Sequence, residues 1–190
     1  MILNAQIPII DCPPGQYTER KMNQSLLILT PDQIQQKITR IAYQVWEDNI
    51  EEEEIVIAGI IDYGYTIAGR LKAELERISG TRITLIKISL DKKSSVLDAS
   101  TDLAIEHCRD KVVIVVDDVI NTGRTLAYGI GLFLNIPLKK LRTVALMERS
   151  HRIFPVSPDY VGTELATVIK EHVDVLLDDE NRANDGVYLR

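Results

Sequence analysis

The chain has 190 residues, 45% of them hydrophobic and 26% charged, with a net charge of −6 and two cysteines. This is the balance of a globular protein with one core; no apolar stretch is long enough to span a bilayer, and no basic segment leads into an apolar one as in a secretory signal, so the cytoplasm is the expected compartment. The acidic balance argues against broad, non-specific nucleic-acid binding while leaving room for a local basic patch, and Cys12 and Cys108, far apart and outside any CxxC spacing, read as unlinked thiols.

In chain order, residues 1–21 are punctuated by Pro8, Pro13, Pro14 and Gly15 and read as an irregular extension ahead of one domain over residues 22–190. Residues 26–29 form a short strand, after which Thr30 and Pro31 open a helix as N-cap and first helical residue. Ile34, Ile38, Ile41, Ala42, Val45 and Trp46 then recur at helical spacing. The acidic run 51–54 reads as a solvated loop, and residues 55–61 as a continuous apolar strand broken by Asp62-Tyr63-Gly64. Residues 66–78 are a predicted helix ended by Gly80 as a C′ glycine, and residues 83–90 alternate as a strand. Residues 91–101 read as a polar loop, and 112–116 as a buried parallel strand rich in β-branched residues. Residues 117–124 follow as a loop, 125–134 as a helix and 143–147 as a strand, before a tail of short apolar pieces and acidic turns such as Asp178-Asp179-Glu180. The alternation predicts an α/β fold with a central, mainly parallel sheet and right-handed crossovers, whose ligands bind beyond the carboxyl ends of the strands.

Chemistry concentrates in residues 112–126, where a buried strand ends in Asp117 and Asp118 and the turn Asn121-Thr122-Gly123-Arg124-Thr125 leads into a helix. The turn's N–H groups, the hydroxyls of Thr122 and Thr125 and the helix N-terminus suit a phosphate. Gly123 allows close backbone approach, and Arg124 adds a permanent forked cation. Carboxylates about one sugar length before a phosphate cradle suit ribose hydroxyls, directly or through Mg²⁺. Capping of a strand–helix loop explains either half alone, but not two acids set directly after five apolar residues. His107 and His172 have no companions at metal spacing and read as surface residues.

This segment resembles the phosphoribosyl-pyrophosphate (PRPP) motif of type I phosphoribosyltransferases. More closely, nearly all of residues 22–190 is similar to the bifunctional pyrimidine-operon attenuator and uracil phosphoribosyltransferase family. The match is carried by Met22-Asn23-Gln24, Thr39-Arg40-Ile41-Ala42, residues 59–80, Thr122-Gly123-Arg124-Thr125, Arg149-Ser150-His151-Arg152 with Pro155, and Asp159-Tyr160-Val161-Gly162. The resemblance implies the type I fold, with a small hood over the base site, and transfer of phosphoribose from PRPP to a nucleobase with Mg²⁺. In that scheme Asp117 and Asp118 bind the ribose hydroxyls, residues 121–125 cradle the 5-phosphate, and Tyr160 and Val161 meet the base by ring stacking and backbone hydrogen bonds. Asp117, Asp118 and Arg124 then carry the catalysis, through positioning and charge stabilisation. A homo-oligomer, at least a dimer, is implied as well.

The chain departs from that pattern where pyrophosphate leaves. The family has a basic residue immediately before the glycine matched by Gly64, whereas here Asp62 and Tyr63 precede it. At an effective dielectric of ~20, two unit charges ~4 Å apart interact by ~4 kcal/mol, so a carboxylate there opposes pyrophosphate. In the loop after the third strand, Ser89-Leu90-Asp91-Lys92-Lys93 stands for the family's Tyr-Arg-Asp segment, and Lys92 or Lys93 is either a substitute cation or a solvated side chain. Glu148, where purine members carry a lysine, and Asn121, where they carry an aspartate, favour uracil. Thr39, Arg40, Arg149, His151 and Arg152 fit the family's RNA-facing surface, although an isolated Arg-x-His-Arg is more often a capped turn or dimer contact. Beside the enzyme stands the alternative of a non-catalytic nucleotide or PRPP sensor, or an RNA-binding regulator, on the same fold.

Overall fold

The structure, a computed structural model, describes residues 25–91, 98–149, 152–166 and 171–190. Strand β1 (Leu26–Leu29) is followed by α1 (Pro31–Asp48), β2 (Glu54–Ile60), α2 (Tyr63–Ile78), β3 (Arg82–Asp91) and β4 (Asp98–Thr101). Then come β5 (Val112–Ile120), α3 (Arg124–Gly131), β6 (Lys140–Arg149), β7 (Tyr160–Leu165), β8 (Val173–Leu176) and β9 (Gly186–Leu189). The extension 1–21, Met22-Asn23-Gln24, Lys92, Lys93 and His151 lie outside the described residues.

Six strands form the main sheet in the order β4-β3-β2-β5-β6-β7, all parallel except β4, which returns antiparallel to β3. The apolar runs of β2 and β5 are continuous because both faces of the sheet are covered. Ile55, Ile57, Val112, Ile114 and Val116 pack against α1 and α2. Val56, Ala58, Val113 and Val115 pack on the opposite face with Leu126 and Phe133. Among the described residues, no helix is long and apolar enough to cross a membrane.

Helix α1 begins as its residues predict. Thr30 Oγ1 accepts from the Gln33 N–H at 3.3 Å, and the Gln33 side chain accepts from the Thr30 N–H at 2.9 Å, closing a capping box. Its far end is tied to the sheet by Tyr160, whose hydroxyl donates to Asp48 at 2.8 Å. That bond, with Lys140 and Arg142 alongside, holds the Asp48 carboxyl below its ordinary pKa against its own desolvation. Burial, with Asp48 adding, pushes the Tyr160 phenol well above its usual value.

A second, antiparallel sheet of order β1-β9-β8 supplies the hood. Arg70, 4% exposed on α2, joins this hood to the main body. Its guanidinium pairs with Asp185, donates to Asp179 at 3.2 Å and reaches the Asp178 carbonyl at 3.2 Å. Burial works against the Arg70 charge, but Asp185 and Asp179 outweigh it and raise its pKa.

Several boundaries differ from the sequence reading, each for a physical reason. Strand β5 continues through Asp117 and Asp118 to Ile120, because Asp117, Val119 and Ile120 pair with Ala145, Met147 and Glu148 of β6. The strand ends before Asp62 as expected, but helix α2 starts at Tyr63 rather than Thr66, so Gly64 is its second residue. Gly80 follows the end of α2 without a left-handed conformation; Ser79 stops the helix, its N–H and hydroxyl both donating to the Leu75 carbonyl. Residues 98–101, read as loop, are paired with β3 as β4. Helix α3 begins at Arg124 and ends at Gly131, short of the predicted Leu134.

Candidate functional site

The ends of β2 and β5 and the first turns of α2 and α3 enclose a cavity of about 600 Å³, lined among others by Asp62, Tyr63, Thr66, Asp117, Asp118 and Thr125. It opens at the carboxyl ends of the strands, as parallel sheets require.

Close packing seats α2 here. A Cβ added at Gly59 would lie 2.6 Å from the Tyr65 Cα, and one at Gly64 would lie 3.0 Å from the Val116 carbonyl oxygen. Without side chains at either position, the first turn of α2 lies directly on the ends of β2 and β5, which brings Tyr63 and Thr66 to Asp117. Between β2 and α2, Asp62 takes φ 72° and ψ −132°, a conformation that favours glycine. Its side chain makes no capping hydrogen bond. Strain of this kind costs about 1–3 kcal/mol and concentrates at functional sites. Asp62→Gly is therefore expected to raise the melting temperature by a few degrees, for a net gain of about 1 kcal/mol after the entropy lost by glycine. An unchanged or lowered melting temperature would mean that the loop conformation carries no strain.

The two carboxylates differ in setting. Asp117 is 5% exposed, and its Oδ1 accepts from the Asp118 N–H at 3.0 Å. Asp118 is half-buried at the cavity wall. Among the described residues no cluster of three or more His, Cys, Asp or Glu forms a closed metal cage. Two adjacent carboxylates at a cavity wall fit instead a hard cation such as Mg²⁺, which takes oxygen ligands and keeps several waters.

The turn before α3 is braced from outside. Gly123 adopts φ 79° and ψ −2°, the left-handed region, and a Cβ there would approach the Phe154 carbonyl oxygen to 3.4 Å. The Thr122 carbonyl accepts from the N–H groups of Ile153 and Phe154, both at 2.9 Å, while Thr122 Oγ1 accepts from the Arg124 N–H at 3.3 Å. Asn121 and Arg124 are exposed, and the Arg124 guanidinium lies 5.8 Å from the centroid of the Tyr128 ring. The first-turn N–H groups of α3 lack intrahelical partners by geometry. Residues 121–125 thus gather donors and a cation beside Asp117 and Asp118.

Other candidates stand elsewhere or are already engaged. Tyr160 is 8% exposed and packs in the core on the α1 side, with its hydroxyl on Asp48, so its ring does not face the cavity as a stacking surface. The Val161 carbonyl, expected to meet a base, accepts from Arg40 Nη2 at 2.6 Å, and the Gly162 carbonyl accepts from the same atom at 2.8 Å. Arg149 is 3% exposed and donates to the Glu171 carbonyl at 2.6 Å. Arg152 pairs with the buried Glu148, and Thr39 accepts from Gln35 at 3.3 Å. The arginines expected to face RNA are thus committed to internal contacts.

Two features carry no mark in the motifs above: Thr66 lines the cavity, and a second cavity of about 670 Å³ shares Tyr63 and is walled by hood residues including Leu176, Asn184 and Tyr188. Thr66 was findable from the helical periodicity after Asp62; the hood wall carries no periodic signal.

The family described as phosphoribosyl transferase domain matches residues 28–180. Among relatives, the bifunctional protein PyrR of Clostridium acetobutylicum is 34% identical, with 86% of this chain and 98% of that protein covered. The bifunctional protein PyrR of Microcystis aeruginosa is 32% identical, with 87% and 97% covered. Among solved structures, a hypoxanthine-guanine phosphoribosyltransferase of Bacillus anthracis aligns with a TM-score of 0.62 at 27% identity, over 74% of this chain and 82% of that one. A hypoxanthine phosphoribosyltransferase of Trypanosoma cruzi aligns with a TM-score of 0.70 at 21% identity, over 86% of this chain and 94% of that one, a likeness of fold alone.

Proposed function

This chain belongs to the phosphoribosyl transferase domain family, and from that premise we propose that it transfers phosphoribose from PRPP to a nucleobase, with uracil preferred. The observation that carries this reading is the convergence of Asp117, Asp118 and Thr125 on one cavity with Tyr63 and Thr66 from the start of α2. In the reaction a ring nitrogen of the base forms the new bond to the anomeric carbon while the carbon–oxygen bond to pyrophosphate breaks. The base's proton leaves to solvent.

Each part of the chain has an assigned share. The Thr122 and Thr125 hydroxyls, the N–H groups of residues 121–125 and Arg124 hold the 5-phosphate. Asp117 and Asp118 orient the ribose through its 2- and 3-hydroxyls. Mg²⁺, when bound, neutralises charge on the pyrophosphate; Asp117 and Asp118 would hold it, directly or through water. Asp62, Tyr63 and Gly64 face the leaving group. Glu148, buried at the end of β6 and paired with Arg152, stands where purine enzymes place a lysine, which supports uracil over hypoxanthine or guanine. The reading extends to a cytoplasmic homo-oligomer whose catalytic domain spans residues 22–190, with 1–21 as an extension.

Pyrophosphate release, followed with PRPP, Mg²⁺ and each base in turn, tests this directly. Turnover with uracil and little with hypoxanthine or guanine is expected, and turnover confined to a purine would overturn the base assignment. One observation favours a second reading. Among the described residues, no lysine or arginine lines the cavity beside Asp62 and Tyr63, as suits a protein that senses nucleotides without turnover. A regulator that binds RNA through Arg40, Arg149 and Arg152 has less support, because all of them are engaged within the chain. Steeply salt-dependent RNA binding that Arg152→Ala weakens would restore that reading.

A further inference from the structure

Pyrophosphate needs a cation, and the loop that faces it offers Asp62 and Tyr63 instead. Among the described residues, nearby basic side chains are committed elsewhere: Arg70 to Asp179 and Asp185, and Arg124, in the turn before α3, over the Tyr128 ring. Lys87 is different. It lies on β3 in register with Gly59, the residue on which the first turn of α2 rests. Its backbone is fixed at both ends, the N–H donating to the Asp102 carboxylate at 2.8 Å and the carbonyl accepting from the Asp102 N–H at 3.2 Å. The following residue, Ile88, holds the loop itself, its carbonyl accepting from the Ile61 N–H at 2.8 Å, one residue before Asp62.

While that backbone is fixed, the ammonium is only lightly held. Lys87 Nζ sits 4.5 Å from the centroid of the Tyr65 ring, in the first turn of α2, and makes no ion pair among the described residues. A half-exposed cation–π contact is weak beside a charge-assisted hydrogen bond to a phosphate oxygen. We propose that Lys87 is the pyrophosphate-binding cation of this chain, leaving the Tyr65 ring for the leaving group and replacing the basic residue that the loop lacks at Tyr63. The inference rests on the transferase reading above, because it presumes that PRPP is bound.

Calorimetric titration separates the two. Mg²⁺·PRPP and UMP are each titrated into the full chain and into Lys87→Met, Lys87→Arg and the double variant Lys87→Met with Tyr63→Arg. Losing one charge-assisted contact predicts PRPP binding about tenfold or more weaker in Lys87→Met, with UMP affinity within about twofold of the parent, since the monophosphate never reaches that side. Lys87→Arg restores most of the loss, and so does the double variant, which returns the cation to the loop. Should the methionine variant unfold, Lys87→Gln, which keeps a polar tip over Tyr65, is read the same way. Unchanged PRPP affinity in a folded Lys87→Met or Lys87→Gln overturns the assignment while leaving the transferase reading intact. UMP binding without any PRPP binding in the parent chain overturns the transferase reading, and the role of Lys87 with it.

Discussion

Replacing Arg70 by methionine is expected to destabilise the protein by about 3–5 kcal/mol, because removing one partner of a buried ion pair strands the other. The stranded group is the Asp185 carboxylate, whose side chain is 2% exposed; Asp179, at 65%, simply returns to water. At about 2–4 °C per kcal/mol for a chain of this size, the melting temperature falls on the order of 10 °C. Adding Asp185→Asn removes the stranded charge and recovers part of the loss. Its amide still accepts from the Asp178 N–H, a bond that the carboxylate makes at 2.8 Å. A loss below about 1 kcal/mol for Arg70→Met would place the group among surface pairs, and the hood would then have to be held to α2 by something else. Because Arg70 links the helix that begins at Tyr63 to the strands that wall the second cavity, the same variant should also weaken ligand binding beyond what stability alone accounts for.

The second large effect concerns the turn before α3. Thr122→Val combined with Arg124→Ala removes a hydroxyl and the cation while leaving the Thr122 carbonyl, which braces Ile153 and Phe154, in place. Each lost hydrogen bond to a charged group is worth about 1.5–3 kcal/mol, so the pair predicts a loss of monophosphate affinity of at least about a hundredfold. Both side chains are at least partly exposed, and the fold should survive with an unchanged far-ultraviolet spectrum. A folded double variant that still binds UMP as the parent does would remove the phosphate cradle from the account.

How much of this was legible in the sequence depended on whether a signal was local. The Thr30-Pro31 cap and the apolar stripe from Ile34 to Val45 are local, and the structure reproduces both. The run 112–116 announced a central buried strand for the same reason. Asp117 and Asp118 read as loop because acids rarely extend a strand. What keeps them in one is the pairing of Asp117, Val119 and Ile120 with Ala145, Met147 and Glu148, about thirty residues away. Gly64 read by residue type as part of the strand's end, but its further role, to let α2 rest on Val116 and Asp117, is a contact between distant residues. The Arg70 network was invisible for the same reason, since its carboxylates stand more than a hundred positions along the chain. Tyr160 shows the limit of resemblance. The motif around it is present, but Asp48 at the end of α1 takes its hydroxyl and the core takes its ring.

The site was legible in the same uneven way. The proposed phosphate cradle at residues 121–125 could be read from their order alone, whereas Lys87 is an ordinary lysine in an alternating strand until the register of β2 and β3 sets it beside Gly59.

The most direct test of the central claim is a calorimetric titration of the full chain with PRPP in the presence and absence of Mg²⁺, with UMP and GMP as competitors. Mg²⁺-dependent PRPP binding that UMP displaces better than GMP is the expected result. Binding of UMP with no binding of PRPP at any Mg²⁺ concentration would contradict it, leaving a phosphate cradle kept for sensing rather than for transfer.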